Sequence, residues 1–129
     1  MDNELQKELI EKYPKIFRDC DKTPQESCMA FSISVGDGWF PLIDQLCKSL
    51  QHETDKCNAP QVIAAQVKEK FGGLRFYVNS ANETQFNYIE FAEALSYKIC
   101  EECGTMNQVI TEGPGWIQSL CKECRKTDG

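Results

Sequence analysis

Two C-x-x-C pairs, Cys100-Glu-Glu-Cys103 and Cys121-Lys-Glu-Cys124, are the residues in this sequence best placed to do chemistry, and seventeen residues separate them. A C-x-x-C turn aims two thiolates at one point, and a second such turn completes a tetrahedron around Zn²⁺. The separation lies in the range of structural zinc sites. A redox dithiol and a pair of local disulfides are the alternatives, but the former occurs singly after a strand of a βαβ unit and the latter belong to an oxidising compartment. The expectation is one structural Zn²⁺ held by Cys100, Cys103, Cys121 and Cys124, since four thiolates close the shell and leave no position for a substrate.

The residues between the pairs suit such a site. Gly104 follows the first pair, where the chain must turn sharply toward the metal. Asn107–Thr111 and Trp116–Leu120 are short half-apolar runs split by Glu112-Gly113-Pro114-Gly115, and they predict a hairpin, giving a zinc ribbon or treble-clef-like knuckle over residues 100–129. Other chemistry is sparse. His52 is the only histidine and lies in a polar stretch, and no P-loop, H-E-x-x-H, G-x-S-x-G or deaminase pattern is present, so no catalytic constellation is expected. Cys20, Cys28, Cys47 and Cys57 are irregularly spaced and read as ordinary thiols, Cys47 in the core.

The elements that must position the cysteines form a body over residues 1–99. Leu5, Leu9 and Ile10 predict an amphipathic helix ended near Pro14, with Tyr13, Ile16 and Phe17 continuing its apolar face. Asp19–Glu26 reads as a loop, and Cys28–Val35 alternates as a half-buried strand. Trp39, Phe40, Leu42, Ile43, Leu46, Cys47 and Leu50 predict a core helix to about Gln51, with Pro41 in its first turn and His52–Pro60 as its exit loop. QVIAAQVKEKFGGLRFYVNS predicts a hairpin turning at Gly72-Gly73, with Ile63, Ala65, Val67, Phe71, Leu74, Phe76 and Val78 inward. Asn82 is a candidate N-cap for a helix to about Ile99 carrying Phe86, Ile89, Ala92, Leu95 and Ile99 on one face. The fold expected is α+β: a small antiparallel sheet of about three strands with helices on one face, plus the zinc hairpin, which the last helix enters without a flexible spacer.

Charge narrows the partners. The chain carries 14 basic and 20 acidic residues, net −6, and four thiolates with one dication would add two more negative charges. Such a surface repels phosphate unless bases are segregated on one face. Lys68, Lys70 and Arg75 with Tyr77 are expected on the solvent side of the hairpin, where any nucleic-acid contact would fall. Asp37-Gly-Trp39-Phe40 reads as a strand-to-helix turn anchored by its aromatics, or as an exposed contact surface through Asp37, Trp39 and Phe40. No apolar run reaches the length of a membrane span, and the N-terminus is unlike a signal peptide, so a cytoplasmic protein is expected.

YPKIF, CMAFSISVGDGWFPLIDQLC, QVKEKFGGLRFYV and the terminal ICEECG…GW…LCKEC together resemble a family of small proteins carried by phages and prophages, over nearly the whole chain. Thr105-Met106-Asn107 departs from the glycine of that family's knuckle. The resemblance implies a bacterial host cytoplasm. The function expected is therefore a small zinc-binding accessory protein that binds a host or phage protein, including antagonism of a defence system of the CRISPR or restriction type. The alternative is a nucleic-acid-binding zinc-ribbon regulator.

Overall fold

The computed structural model of the chain describes residues 1–18 and 33–128. The loop expected over Asp19–Glu26, Cys20, Cys28 and most of the first strand lie outside the described residues. The N-terminal segment folds as the helix α1 (Asn3–Lys12), opened by Asp2, whose side chain accepts from the Glu4 N–H. It stops before Pro14, as expected, and Tyr13 and Lys12 both reach Asp44, tying α1 to the next helix.

Strand β1 (Ile33–Ser34) leads through a short turn (Asp37–Trp39) into α2 (Phe40–Lys56). Next come β2 (Ile63–Lys70), β3 (Gly73–Asn79) and α3 (Glu83–Ser96), followed by β4 (Val109–Glu112), β5 (Gln118–Cys121) and α4 (Lys122–Asp128). The class is α+β, as expected, but the main sheet is mixed. β2 and β3 pair antiparallel, whereas β1 runs parallel to β2 with Ile33 opposite Val67. The reason is α2: a long helix between two strands carries the chain back to the end it left, so the second strand enters parallel to the first.

Several boundaries differ from the sequence pattern. α2 continues through Lys56 instead of ending at Gln51, because only the stripe Ile43, Leu46, Cys47 and Leu50 must be apolar and the last two turns can be polar outside. The hairpin turns at Phe71-Gly72, one residue earlier than expected, with φ of +54 and +85. Gly73 is already strand: a Cβ there would lie 2.3 Å from the Tyr97 ring, so the glycine is needed for packing and Phe71 takes the left-handed position. Phe71 is consequently exposed instead of inward. A bulge at Ala65 shifts the register between Ala64 and Gln66, which puts Ala64 in the core and leaves Ala65 half-buried.

In α3 the capping box of Asn82 and Gln85 forms. Gln85, not Phe86, takes the buried position: its amide donates to the Leu50 carbonyl, the Thr54 hydroxyl and the Pro60 carbonyl, and Phe86 faces out. α3 also closes the free edge of β3, with the Ser96 hydroxyl and the Glu93 carboxylate accepting from the Leu74 and Phe76 N–H groups. The main core gathers Leu9, Ile16, Phe17, Trp39, Ile43, Leu50, Val67, Leu74 and Phe76. A much smaller cluster, Cys100, Leu120 and Cys121, lies in the C-terminal lobe. Among the described residues no helix is long and apolar enough to cross a membrane.

Candidate metal centre

Four residues after the end of α3 the chain reaches Cys100, and the turn to Cys103 folds as a knuckle. The Gly104 N–H donates to the Cys100 carbonyl, the Cys100 N–H to the Thr105 carbonyl, and Gly104 has φ +82. That positive φ explains the glycine directly after the pair. The hairpin β4–β5 then returns the chain, with Val109 opposite Cys121. Cys121 is the last residue of β5 and Cys124 lies in the first turn of α4. The order is therefore knuckle, hairpin, helix, the treble-clef-like form of the two expected. α4 has no signal in the sequence, because six polar residues around Cys124 carry no apolar period.

The four sulfurs converge: all Sγ atoms lie within 4.8 Å of one another, and those of Cys103 and Cys121 are 3.7 Å apart. Four thiolates about 2.3 Å from a central ion would form a tetrahedron with edges of about 3.8 Å. The donor set thus fits one metal ion in a closed shell. Cys100 and Cys121 are buried, Cys124 is half-buried and Cys103 is exposed. The Cys124 N–H points at the Cys121 sulfur at 3.4 Å, the kind of support that orients a ligand.

Comparison of the chain with family models, with curated proteins and with solved structures finds no match. What the site does is read from its own geometry.

Without metal the sulfurs are unequal. Burial pushes the Cys100 thiol up, but the N–H groups of Cys103, Cys121 and Glu102 more than offset this and bring it down to about 7. The Thr105 N–H lowers the Cys103 thiol, yet burial and the neighbouring sulfurs raise it overall, and burial with the same sulfurs raises Cys124. At neutral pH a metal therefore displaces protons from at least Cys103 and Cys124, and below about pH 7 from Cys100 as well. Metal affinity is expected to fall by at least about 100-fold per pH unit just above neutrality and more steeply below it. The metal-linked stability is present at high pH and lost as pH falls. Competition with a chromophoric chelator between pH 8 and 6 checks this, and a slope near zero would refute it.

The site is joined to the body along a backbone seam. The Gly38 N–H donates to the Glu101 carbonyl at 2.7 Å, the Gly36 N–H to the Glu101 carboxylate at 2.9 Å, and the Trp39 indole N–H to the Ile99 carbonyl at 2.9 Å. A Cβ on Gly38 would lie 2.2 Å from the Cys100 carbonyl oxygen, so no side chain fits there. The Ser119 hydroxyl bonds the Gly72 carbonyl and Thr111, while the Glu101 N–H donates to the Ser119 carbonyl.

These contacts reassign the Asp37–Phe40 segment. Trp39 is fully buried, so it cannot serve as the exposed contact considered from the sequence; an indole wedged between body and knuckle reads as structure. Phe40 is half-buried against the main core, and the Asp37 carboxylate accepts from the Asp2 N–H. Lys68, Lys70, Arg75 and Tyr77 do come together, on the sheet face away from the core. Sequence reasoning also missed Arg125, whose guanidinium binds the carbonyls of Ile110, Glu112 and Gln118 and clamps the hairpin to α4. Its only signal was its place directly after the last cysteine. Cys47 is buried and Cys57 exposed, both away from the metal cluster.

Proposed function

We propose that this is a small zinc-binding accessory protein that acts by binding another protein, without catalysis of its own. Zinc is favoured by the donor set: four thiolates suit a borderline-soft ion without geometric preference and offer no oxygen to Mg²⁺ or Ca²⁺. A closed shell of this kind holds a lobe in shape and leaves binding to the surface around it.

The observation that carries the binding reading is an open apolar groove of about 210 Å³ between α2 and α3, lined by Leu42, Leu46, Tyr88, Phe91 and Leu95, with Phe91 70% exposed at its edge. A large aromatic ring left in water beside a trough between two helices matches the way amphipathic helices are received. Lys48, Ser49 and His52 continue the trough beyond Tyr88 as a polar end. The occupant we infer is a partner protein's amphipathic helix, apolar side down, with an acidic residue toward Lys48. The likeness to phage and prophage proteins supports a host or phage partner in the bacterial cytoplasm. The net charge of −6 supports action against a DNA-handling defence enzyme of the CRISPR or restriction type, where an acidic surface competes for a basic groove.

Native mass spectrometry of the protein purified from a bacterial host tests this, with wild type and Phe91→Glu compared. One Zn²⁺ per chain in both, with a stoichiometric protein mass only in wild type, is the expected result. A wild type that carries no partner, or a partner indifferent to Phe91→Glu, refutes it.

A further inference from the structure

We propose that the open face of the main sheet is a binding site for single-stranded nucleic acid. The residues that form it are 68, 70, 75 and 77, and the hairpin register collects what the sequence spreads over ten positions. Lys68 lies directly opposite Arg75, the next row pairs Gln66 with Tyr77, and Lys70 stands one row toward the turn. Rows on one face repeat about every 7 Å along a strand.

Two like charges directly opposed across a strand pair destabilise the sheet. The Glu93 carboxylate favours the Arg75 cation at a distance, but among the described residues none of Lys68, Lys70 and Arg75 makes an ion pair. Glu69 accepts from the Gly72 N–H and Glu93 from the Phe76 N–H, so neither carboxylate is drawn into a direct pair with these cations. Arg75 is instead oriented by the Tyr97 hydroxyl and the Leu74 carbonyl, which leave further guanidinium donors unspent. A cluster of cations that no carboxylate pairs directly is what an anionic ligand would neutralise.

The aromatic rings say which anion. Lys68 Nζ lies 5.8 Å from the Tyr77 ring and Lys70 Nζ 5.7 Å from the Phe71 ring, so cations and rings alternate along the strip. Tyr77 is 43% and Phe71 65% exposed. The negative faces of such rings repel carboxylates but stack with nucleobases, which favours nucleic acid over an acidic peptide. Stacking requires unpaired bases, which a single strand offers and a duplex does not. At physiological salt the screening length is about 8 Å, so the acids on other faces weigh little against contacts made at the strip.

The test is fluorescence anisotropy of a labelled single-stranded thymidine oligonucleotide with the metal-loaded full chain. Binding is expected to weaken with salt at a log–log slope of about −2, from three phosphate contacts. Tyr77→Ala is expected to reduce affinity about 5- to 100-fold. Lys68→Glu places a carboxylate opposite Arg75, so it should leave thermal stability equal or higher while cutting affinity about tenfold or more. A merely structural role would not produce that combination. Lys7→Glu, on the exposed side of α1, is the control matched in net charge and should bind as wild type. The proposal is overturned by the absence of binding at about 50 mM salt, by retention of affinity in Lys68→Glu and Tyr77→Ala, or by equal loss in Lys7→Glu. Equal competition by polyglutamate would likewise overturn it and assign the face to an acidic protein segment.

Discussion

Removal of the metal is expected to lower the melting temperature more than any single core substitution in this chain. The C-terminal lobe has two four-residue strands, a seven-residue helix and a buried cluster of Cys100, Leu120 and Cys121, too little apolar burial to hold itself together. Structural Zn²⁺ sites supply about 10–16 kcal/mol of apparent binding free energy at neutral pH, against a total stability of about 5–15 kcal/mol for an ordinary domain. The loss should spread: once the knuckle melts, the Gly38 N–H and the Trp39 indole lose their acceptors on Glu101 and Ile99. Cys103→Ser is the informative variant, because Cys103 is exposed and its replacement removes a ligand with little packing. Thermal unfolding with and without a strong chelator, read alongside hydrogen exchange of β4, β5 and the Trp39 region, measures the effect. Unchanged melting and protection in the chelator would refute the structural role of the metal.

Trp39→Ala is expected to be the most damaging substitution in the body. The side chain is fully buried between α2 and the end of α3, and its truncation should cost about 3–5 kcal/mol. For a chain of 129 residues this corresponds to a fall in melting temperature of roughly 10–20 °C. Trp39→Phe separates the two contributions: it keeps most of the ring volume but leaves the Ile99 carbonyl without its donor, a loss of about 1–3 kcal/mol. A Trp39→Ala protein melting within a few degrees of wild type would show that the seam contributes little.

What could be read before the structure was largely local. The cysteine ligands, the N-cap at Asn82, the stop at Pro14 and the hairpins follow from spacing and turn chemistry within a few residues. The parallel entry of β1, the turn frame at Phe71-Gly72 and the seam made by Trp39 do not, because each is decided by a partner far along the chain: the return through α2, the Tyr97 ring against Gly73, and the Ile99 carbonyl that accepts from an indole whose anchoring role the sequence did suggest. Gln85 replaced Phe86 in the core for the same reason, since its acceptors belong to the far end of α2 and the residues after it. The basic face lay between these cases: its residue types were visible, but the pairing of Lys68 with Arg75 required the register.

The seam between residues 36–39 and 99–104 also sets an order of events during synthesis. The Trp39 indole waits for an acceptor 60 residues downstream, and the Gly36 N–H for one 65 residues downstream. At about 5–20 residues added per second, that interval is roughly 3–12 s during which the indole N–H lacks its acceptor. The seam thus closes only after the cysteine knuckle has left the ribosome, which makes the joining of body and knuckle a late step of synthesis.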